Sequence, residues 1–249
     1  MVGIVLAAGD GTRLKNNTGE ECCKVLQKVN NTQLLEFALN NLIALNVTNA
    51  LVVVGKYEDL IKNVIGDEYK GLKITYVHQP HQIGLGNAFV QALKHMSSAD
   101  DVILQLADEI FVDFKSELVK KLINADEYDF YCGVTYETNV EKIKANYSVE
   151  TDENLIIKKC TEKPTVVENN IKGTGFCIFK SEALQYLKKT YNEIDNAPSD
   201  LCDYMNCLVA EGRKGLAFCL AEREFNINTV SDLAEARDFF INREMSDNE

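Results

Sequence analysis

The first half of the chain alternates between two patterns of hydrophobic and polar residues. Short apolar runs, typical of buried strands, lie at 3–7, 50–54, 73–78, 102–106 and 128–135. Apolar residues at helical spacing predict helices at 33–45, 57–65, 86–96 and 115–125. Strands that alternate with helices are typical of βαβ units, in which helices cover both faces of a parallel sheet. The pattern therefore predicts an α/β, Rossmann-like fold.

The second half has a different pattern. Two apolar-polar alternations flank Asp152-Glu153-Asn154 and predict a hairpin of strands 147–151 and 155–161. Further strands are expected at 173–179, 216–221 and 225–228, and helices at 181–191, 200–211 and 231–243. We expect Ser231 to cap the last helix. Because no Pro/Gly/Ser-rich linker or internal repeat separates the halves, the sequence predicts a single domain over 1–249 with a mixed, mainly parallel sheet.

Composition narrows the class of protein. Lys and Arg total 26 and Asp and Glu total 38, which gives a net charge of −12. So acidic a chain is not expected to bind nucleic acid, and any anionic ligand must be held by a few local positive groups. No apolar run reaches about 18 residues, so no membrane-spanning helix is expected. The apolar N-terminal segment lacks a basic flank and is interpreted as a buried strand, which predicts a cytoplasmic protein. A homo-oligomer is left open.

The eight cysteines show no Cys-x-x-Cys spacing, and the chain has three histidines. We therefore expect no zinc site, and reduced thiols that mostly pack in the core.

A glycine-containing loop directly follows the first strand. Its residues are Gly9-Asp10-Gly11-Thr12-Arg13. Glycines at this place let backbone N–H groups approach a phosphate, and Arg13 and Lys24 can add positive charge. The loop lacks the Gly-Lys-Ser/Thr of a Walker motif, and Leu14 stands where a dinucleotide fingerprint has its third glycine. On the glycines alone, an ordinary turn is an equally good interpretation.

Two later strands end in residues that can bind a nucleotide or a metal ion. Gln79, after the third strand, has an amide that can read a base edge, and Gly84 lets a base pack on backbone. Asp108, after the fourth strand, is a candidate Mg²⁺ ligand. Taken singly, these features also fit a polar loop and a turn-forming aspartate.

Two segments of the second half carry further candidates. Glu162 and Lys163 stand before Pro164, where they can hold a substrate hydroxyl and phosphate or form an exposed charge pair. In the segment 225–228, alternation puts Asn226 and Asn228 on one face.

Together these segments resemble the sugar-phosphate nucleotidyltransferases. The resemblance rests on Leu-Ala-Ala-Gly-x-Gly-Thr-Arg-Leu at 6–14, Gln-Pro-x-x-x-Gly-Leu at 79–85, Asp108, Glu-Lys-Pro at 162–164 and Asn-x-Asn-Thr at 226–229, in the family's order. The resemblance implies these roles: nucleotide binding by Leu6, Ala7, Ala8, Gly9, Gly11, Thr12, Gln79 and Gly84; catalysis by Arg13, Lys24 and Lys163; acceptor binding by Glu162, Lys163, Gly175 and Asn170; and metal binding by Asp108 with Asn226 or Asn228.

The sequence departs from the family's pattern at several positions. Cys23 replaces a proline before Lys24, Ala107 replaces a glycine, and Glu109 replaces an asparagine. Asn226 aligns with an aspartate that other members use as the second metal ligand, and Asn228 is the rival candidate. Since an amide brings no charge, the site is expected to hold its cation more weakly without substrate.

The resemblance implies a reaction and its partners. A nucleoside triphosphate, expected to be UTP, dTTP or CTP, reacts with a sugar 1-phosphate and releases pyrophosphate, with Mg²⁺ as cofactor. Residues 1–112 form the nucleotide-binding half and 113–244 the acceptor-binding half. The alternatives are a cytidylyltransferase acting on a non-sugar phosphate or phosphonate, and a non-catalytic domain that binds nucleotide sugars. Glycosyl transfer is disfavoured because the Asp-x-Asp metal motif typical of that class is missing at 108–110.

Overall fold

The computed structural model describes residues 1–14, 22–81, 84–191 and 198–247. Its strands are β1 (Val2–Leu6), β2 (Lys28–Val29), β3 (Thr32–Gln33), β4 (Asn49–Val54), β5 (Glu68–Tyr69), β6 (Leu72–His78), β7 (Val102–Leu106), β8 (Glu109–Val112), β9 (Phe130–Tyr136), β10 (Tyr147–Thr151), β11 (Ile157–Glu162), β12 (Ile171–Phe179), β13 (Gly215–Cys219) and β14 (Arg223–Asn226). Its helices are α1 (Leu34–Ala44), α2 (Glu58–Ile65), α3 (Leu85–Leu93), α4 (Ser116–Ala125), α5 (Val140–Lys144), α6 (Ser181–Thr190), α7 (Leu201–Ala210) and α8 (Val230–Asp247), with a 3₁₀ turn at Lys24–Leu26.

A ten-stranded mixed sheet forms the centre of the fold, in the order β11-β10-β12-β7-β1-β4-β6-β5, with β9 also paired to β12 and β13 paired to β9. Strands β7, β1, β4 and β6 are parallel, and β12 joins β7 in the antiparallel direction. In the parallel part, Leu6 is the register partner of Leu106. The loops that follow these two residues therefore leave the sheet side by side, and the predicted α/β fold is confirmed.

Helices cover both faces of the sheet because its strands are apolar on both sides. In β1, Ile4 packs in one core cluster with Phe89 of α3, while Val5 packs in the opposite cluster with Leu39 of α1. Each of these side chains is fully buried. Full burial of such side chains stabilises the fold by about 1.5–3 kcal/mol each. No helix among the described residues is long and apolar enough to cross a membrane.

The predicted hairpin of the second half is also confirmed. β10 and β11 pair antiparallel, with Tyr147 opposite Glu162. Asp152 closes the turn, because its Oδ1 accepts hydrogen bonds of 3.0 Å from the backbone N–H groups of both Asn154 and Ile156. The register brings the end of β11 back beside the start of β10.

The strand β8 and its pairing with β14 are absent from the prediction, although the strand expected at 225–228 overlaps β14. β8 begins three residues after β7 ends, and Asp108 and Glu109 interrupt the apolar pattern where the chain turns. In the pair, Asn226 lies opposite Glu109. This pairing carries the 226–229 segment to the carboxyl end of β7, next to Asp108.

The expectation that Ser231 caps the last helix is wrong. The helix α8 begins at Val230. Thr229 Oγ1 accepts from the backbone N–H of Asp232 at 3.2 Å, and Asp232 Oδ2 accepts from the N–H of Thr229 at 2.7 Å. This reciprocal pair is a capping box, which needs an acidic residue three positions after the cap. Asp232 meets that requirement for Thr229, whereas Ser231 lies within the first turn.

Candidate active site

A cleft of about 490 Å³ opens at the carboxyl ends of the parallel strands. It is lined by almost all of the residues that the sequence singled out. These are Leu6, Ala7, Ala8, Gly9, Gly11, Thr12, Arg13, Lys24, Gln79, Gly84, Asp108, Glu162, Lys163, Gly175, Asn226 and Asn228. Ligands of open α/β sheets commonly bind in this position.

The glycine loop forms one wall of the cleft. The backbone N–H of Ala7 donates to Val53 O at 2.8 Å, which fixes the start of the loop to the neighbouring strand. Gly11 has a φ of +61°, and a Cβ there would lie 2.9 Å from the Cβ of Lys24. A side chain at this position would therefore be strained and would crowd Lys24.

Lys24 lies beside the glycine loop and contacts two of the predicted metal ligands. The residue is only 7% exposed. Its Nζ donates to Asp108 Oδ2 at 2.6 Å and to Asn228 Oδ1 at 3.1 Å. Arg13 Nη2 donates to the same Asn228 oxygen at 2.7 Å. Two cationic side chains thus meet one carboxylate and one amide oxygen beside the glycine loop.

The two rival asparagines differ in what their side chains contact. Asn226 is held within an amide chain, because its Oδ1 accepts from Asn228 Nδ2 at 2.6 Å and its Nδ2 donates to Asn146 Oδ1 at 2.7 Å. Asn228 instead directs its Oδ1 toward Arg13 and toward Lys24, the cation that also contacts Asp108. Asp232 holds this segment in place by accepting from the N–H of Asn228 at 2.8 Å. Asn228 therefore shares a binding partner with Asp108, and Asn226 supports it.

The donor set suits a hard divalent cation that is shared with a substrate. Asp108 and Asn228 supply two oxygens that converge on one ammonium group. Across the described residues there is no group of three or more His, Cys, Asp or Glu side chains placed to hold a metal ion. Mg²⁺ is commonly held by one or two protein oxygens together with substrate phosphates and water, and the residues here fit that pattern.

The predicted base-reading loop, which carries Gln79 and Gly84, also lines the cleft. Gln79 is 4% exposed and still lines the cleft. Its Nε2 donates to Asn87 Oδ1 at 2.9 Å and to Gly84 O at 3.4 Å. Gly84 has a φ of +112°, and a Cβ there would lie 2.5 Å from Ser199 O. The loop is therefore held close to the segment that leads into α7.

The end of β11 and the start of α7 form the wall of the cleft that carries the predicted acceptor-binding residues Glu162 and Lys163. Lys163 has a φ of +43°, and its N–H donates to Asn146 O at 2.7 Å. Its Nζ lies 3.4 Å from Glu162 Oε1. Burial raises the pKa of Glu162, Lys163 opposes that rise, and Asp200 adds to it. This wall therefore carries one cation and two carboxylates, since Asp200 also lines the cleft.

Buried charges lie next to the predicted metal ligands. Glu109 Oε2 accepts from the N–H of Gly175 at 2.7 Å, so this carboxyl turns toward β12. Lys172 and Glu224, both nearly fully buried, form an ion pair nearby. Burial, followed by the charges of Glu224 and Asp108, raises the pKa of Glu109 well above its ordinary value. The cluster ties β8, β12 and β14 together directly under the cleft.

The structure does not bring Asn170 to the cleft. The residue is exposed, is not among the lining residues, and uses its backbone carbonyl to accept from the N–H of Glu137 at 2.9 Å. Its neighbour Asn169 holds the start of β12 by accepting from the N–H of Ile171. Residues 169–170 therefore hold the start of β12 in place.

Residues near the cleft that were not predicted include Asn87, Asn146 and Asp200. Asp200 was interpreted as the start of a helix, and it does cap α7 by accepting from the N–H of Asp203 at 3.1 Å. Asn87 and Asn146 are placed by contacts between distant segments, and no local pattern marks either.

Comparison with known proteins identifies the family. The family model described as nucleotidyl transferase matches residues 2–242. The chain therefore belongs to the nucleotidyl transferase family, and the protein is a nucleotidyltransferase.

Two curated relatives and one solved structure are similar to most of this chain. The UTP–glucose-1-phosphate uridylyltransferase AglF of Haloferax volcanii is 29% identical over 213 residues, 86% of this chain and 85% of that protein. The low-salt glycan biosynthesis nucleotidyltransferase Agl11 of the same organism is 28% identical, and the match covers 82% of this chain and 57% of Agl11. The structure of the inositol-1-phosphate CTP transferase of T. maritima has a TM-score of 0.77 at 22% identity, with 95% of this chain and 94% of that chain covered. This last likeness concerns the fold alone.

Proposed function

We propose that the protein transfers a nucleotidyl group from a pyrimidine nucleoside triphosphate to a sugar 1-phosphate, with Mg²⁺ as cofactor. The observation that carries the proposal is the contact of Lys24 with both Asp108 and Asn228 beside the glycine loop. It places a cation, a carboxylate and an amide oxygen where a triphosphate and its divalent ion would meet. The likeness to a uridylyltransferase over most of both chains supports the sugar phosphate as acceptor.

The reaction assigns a part to each side of the cleft. A phosphate oxygen of the acceptor attacks the α-phosphorus, the bond from that phosphorus to the oxygen bridging to the β-phosphate breaks, and pyrophosphate leaves with the bonding electrons. Arg13 and Lys24 stabilise negative charge on the triphosphate and leaving group, and Lys163 holds the acceptor phosphate. No proton transfer is required, so positioning and charge provide the catalysis.

Asp108 and Asn228 are the residues that would hold Mg²⁺. The ion, when bound, neutralises phosphate charge and orients the α-phosphate. The Lys24 ammonium can donate either to Asp108 and Asn228 or to a phosphate oxygen. Once these two residues hold the ion, the ammonium can no longer donate to the same oxygens. Binding of the metal–nucleotide complex therefore requires Lys24 to exchange Asp108 for phosphate.

A second candidate function is supported by the acidic acceptor wall. Glu162 and Asp200 both line the cleft, and their charges suit an acceptor phosphate that also carries an ammonium group. Such an acceptor, for example phosphocholine, would make the protein a cytidylyltransferase acting on a non-sugar phosphate. Because sugar hydroxyls also donate to carboxylates, Glu162 and Asp200 fit either acceptor. The two candidates are therefore distinguished by which acceptor reacts.

The test is a panel of pyrophosphate-release assays. UTP, dTTP, CTP, ATP and GTP are each combined with glucose 1-phosphate, N-acetylglucosamine 1-phosphate, inositol 1-phosphate and phosphocholine. We expect a pyrimidine nucleotide with a sugar 1-phosphate to react fastest. Highest turnover with phosphocholine would favour the second candidate. Nucleotide binding without pyrophosphate release from any pair would contradict both and indicate a non-catalytic binding domain.

The metal assignment is tested in the same assay with Asp108→Asn. Loss of the carboxylate should lower turnover roughly 100-fold or more, because the ion supplies several kcal/mol of charge stabilisation. The matched control is Asp59→Asn, which changes an exposed aspartate of α2 that does not line the cleft. Near-normal turnover of Asp108→Asn with Mg²⁺ present would contradict the assignment.

A further inference from the structure

A buried pair of side-chain amides lies behind the base-reading loop. Gln79 follows β6, and Asn87 lies in the first turn of α3, with exposures of 4% and 2%. Gln79 lines the cleft, while Asn87 is behind it. The helix that carries Asn87 is packed on the sheet through fully buried residues such as Phe89, so Asn87 is held on a rigid element.

The hydrogen bonds of Gln79 fix the direction of its amide. A glutamine NH₂ group has two hydrogens. One is donated to Asn87 Oδ1 at 2.9 Å and the other to Gly84 O at 3.4 Å. With both hydrogens committed inside the protein, the side chain can offer a ligand only the acceptor function of its Oε1.

We propose that Asn87 is a positioning residue that holds Gln79 as a hydrogen-bond acceptor for a donor on the edge of the nucleotide base. The inference rests on the proposed function, since it concerns the nucleotide of that reaction. Uracil and thymine present the N3–H group, and cytosine presents its N4 amino group. Each of the proposed pyrimidine bases therefore has a donor that the Gln79 oxygen can accept.

The burial of Asn87 supports a role beyond packing. Asn87 Nδ2 is buried and finds no acceptor among residues 1–14, 22–81, 84–191 and 198–247. A buried polar atom without a partner is destabilising, and an apolar side chain of similar size would avoid that penalty. Leucine is such a side chain, but it would lack the oxygen that accepts the hydrogen bond from Gln79.

The first experiment removes the donor from the base. In the wild-type protein, kcat/KM for N3-methyl-UTP is compared with that for UTP, and kcat/KM for N4,N4-dimethyl-CTP with that for CTP. For the nucleotide that serves as substrate, loss of the donor should lower kcat/KM by about tenfold or more, the usual effect of one unmet hydrogen bond. The arm in which the loss occurs identifies which donor Gln79 meets. Equal turnover of methylated and natural nucleotides in both arms would overturn the proposal.

The second experiment changes Asn87. In Asn87→Leu the Gln79 amide is free to rotate, so the ratio of kcat/KM for the natural and methylated nucleotides should fall toward one. In Asn87→Asp an oxygen still accepts from Gln79, and the ratio should stay close to the wild-type value. KM for the acceptor phosphate should change little in either variant. A ratio that Asn87→Leu leaves unchanged would contradict the proposal.

A matched control separates positioning from general destabilisation. Asn41 and Gln105 form a similar amide pair elsewhere in the fold, in which Asn41 Nδ2 donates to Gln105 Oε1 at 3.3 Å, and neither residue lines the cleft. Asn41→Leu should lower the melting temperature without changing the ratio. If the wild-type protein releases no pyrophosphate from any nucleotide, the proposed function fails. If it is active but the ratios do not respond, only the role of Asn87 fails.

Discussion

Lys24 has two incompatible partners in the proposed reaction. In the structure it donates to Asp108 and Asn228, and in the proposed reaction it is needed at the phosphates. A buried ammonium 2.6 Å from a carboxylate competes directly with any divalent cation for that carboxylate. The side chain should therefore keep the metal affinity of the free protein low.

This competition predicts the behaviour of Lys24→Met. Removal of the ammonium should raise the affinity for Mn²⁺ alone by about tenfold, about 1.4 kcal/mol, while turnover falls. Free Mn²⁺ measured by electron paramagnetic resonance during a titration without nucleotide tests this. Lys28→Met, which changes an exposed lysine of β2, is the control and should leave Mn²⁺ affinity unchanged. Unchanged or weaker Mn²⁺ binding by Lys24→Met would contradict the competition.

Lys163 combines a functional charge with an unfavourable backbone. Its φ of +43° lies in the left-handed region, where a non-glycine residue pays a conformational penalty, and it directly precedes Pro164. The hydrogen bond from the backbone N–H of Lys163 to Asn146 O holds the residue in this conformation. The backbone therefore holds the ammonium on the acceptor wall against local preference.

A pair of substitutions separates charge from conformation at this position. Lys163→Ala and Lys163→Gly both remove the ammonium, so both should raise KM for the acceptor more than KM for the nucleotide. Only glycine relieves the left-handed strain, so Lys163→Gly should be more stable than Lys163→Ala by up to about 1 kcal/mol. Steady-state kinetics and urea unfolding measure the two effects. Lower stability of the glycine variant, or a larger effect on the nucleotide, would contradict this interpretation.

At the scale of elements, the start of α8 links helix stability to the metal ligands. Asp232 accepts from the N–H groups of Asn228 and Thr229, so one carboxylate caps the helix and holds the 226–229 segment over the cleft. Asp232→Ala should therefore reduce the free energy of unfolding by about 0.5–2 kcal/mol and also lower turnover. Ser231→Ala, one position earlier, should change neither. Urea unfolding and pyrophosphate release test both variants, and equal effects of the two would exclude a specific role for the cap.

The elements that could be predicted from the sequence are those with enough residues to show a period. The long strands of the parallel sheet and the hairpin turn at Asp152 were predicted correctly, because local patterns determine them. The pairs β2–β3 and β8–β14 are not predicted, since strands of two to four residues are too short to show a period. The Ser231 prediction fails because the reciprocal hydrogen bonds between Thr229 and Asp232 place the cap at Thr229.

For the site, motifs located the residues that follow strands, and the structure gathers them in one cleft. Gly9, Gln79 and Asp108 are examples, since the carboxyl ends of parallel strands share an edge. Asn87 and Asp200 were missed because their places depend on how α3 and α7 pack, which no local pattern encodes. The role of Asn170 is implied only by the resemblance to the family, and the structure places this residue outside the lining of the cleft.

On the scale of the whole molecule, both halves of the chain contribute to one sheet. Leu104 of β7 pairs with Cys177 of β12, so strands from before and after residue 113 are direct neighbours. We therefore predict one cooperative unfolding transition, as expected of a single domain. The chain has ten tyrosines and no tryptophan, so far-UV and near-UV circular dichroism in urea are the suitable probes. Their curves should coincide at two protein concentrations, and separate midpoints would indicate two folding units.

The hairpin of β10 and β11 lies at the end of the strand order, far from the strands that carry the glycine loop. β11 is paired along its length with β10 and packs on α7, and its last residue, Glu162, is part of the acceptor wall. Substitutions or insertions there disturb one pairing and one helix, while the register of β1 and β7 stays fixed. In the proposed reaction, the residues that bind the acceptor are therefore at the edge of the sheet and can change to fit a different acceptor. The loop that binds the nucleotide lies at the centre of the sheet and can stay the same.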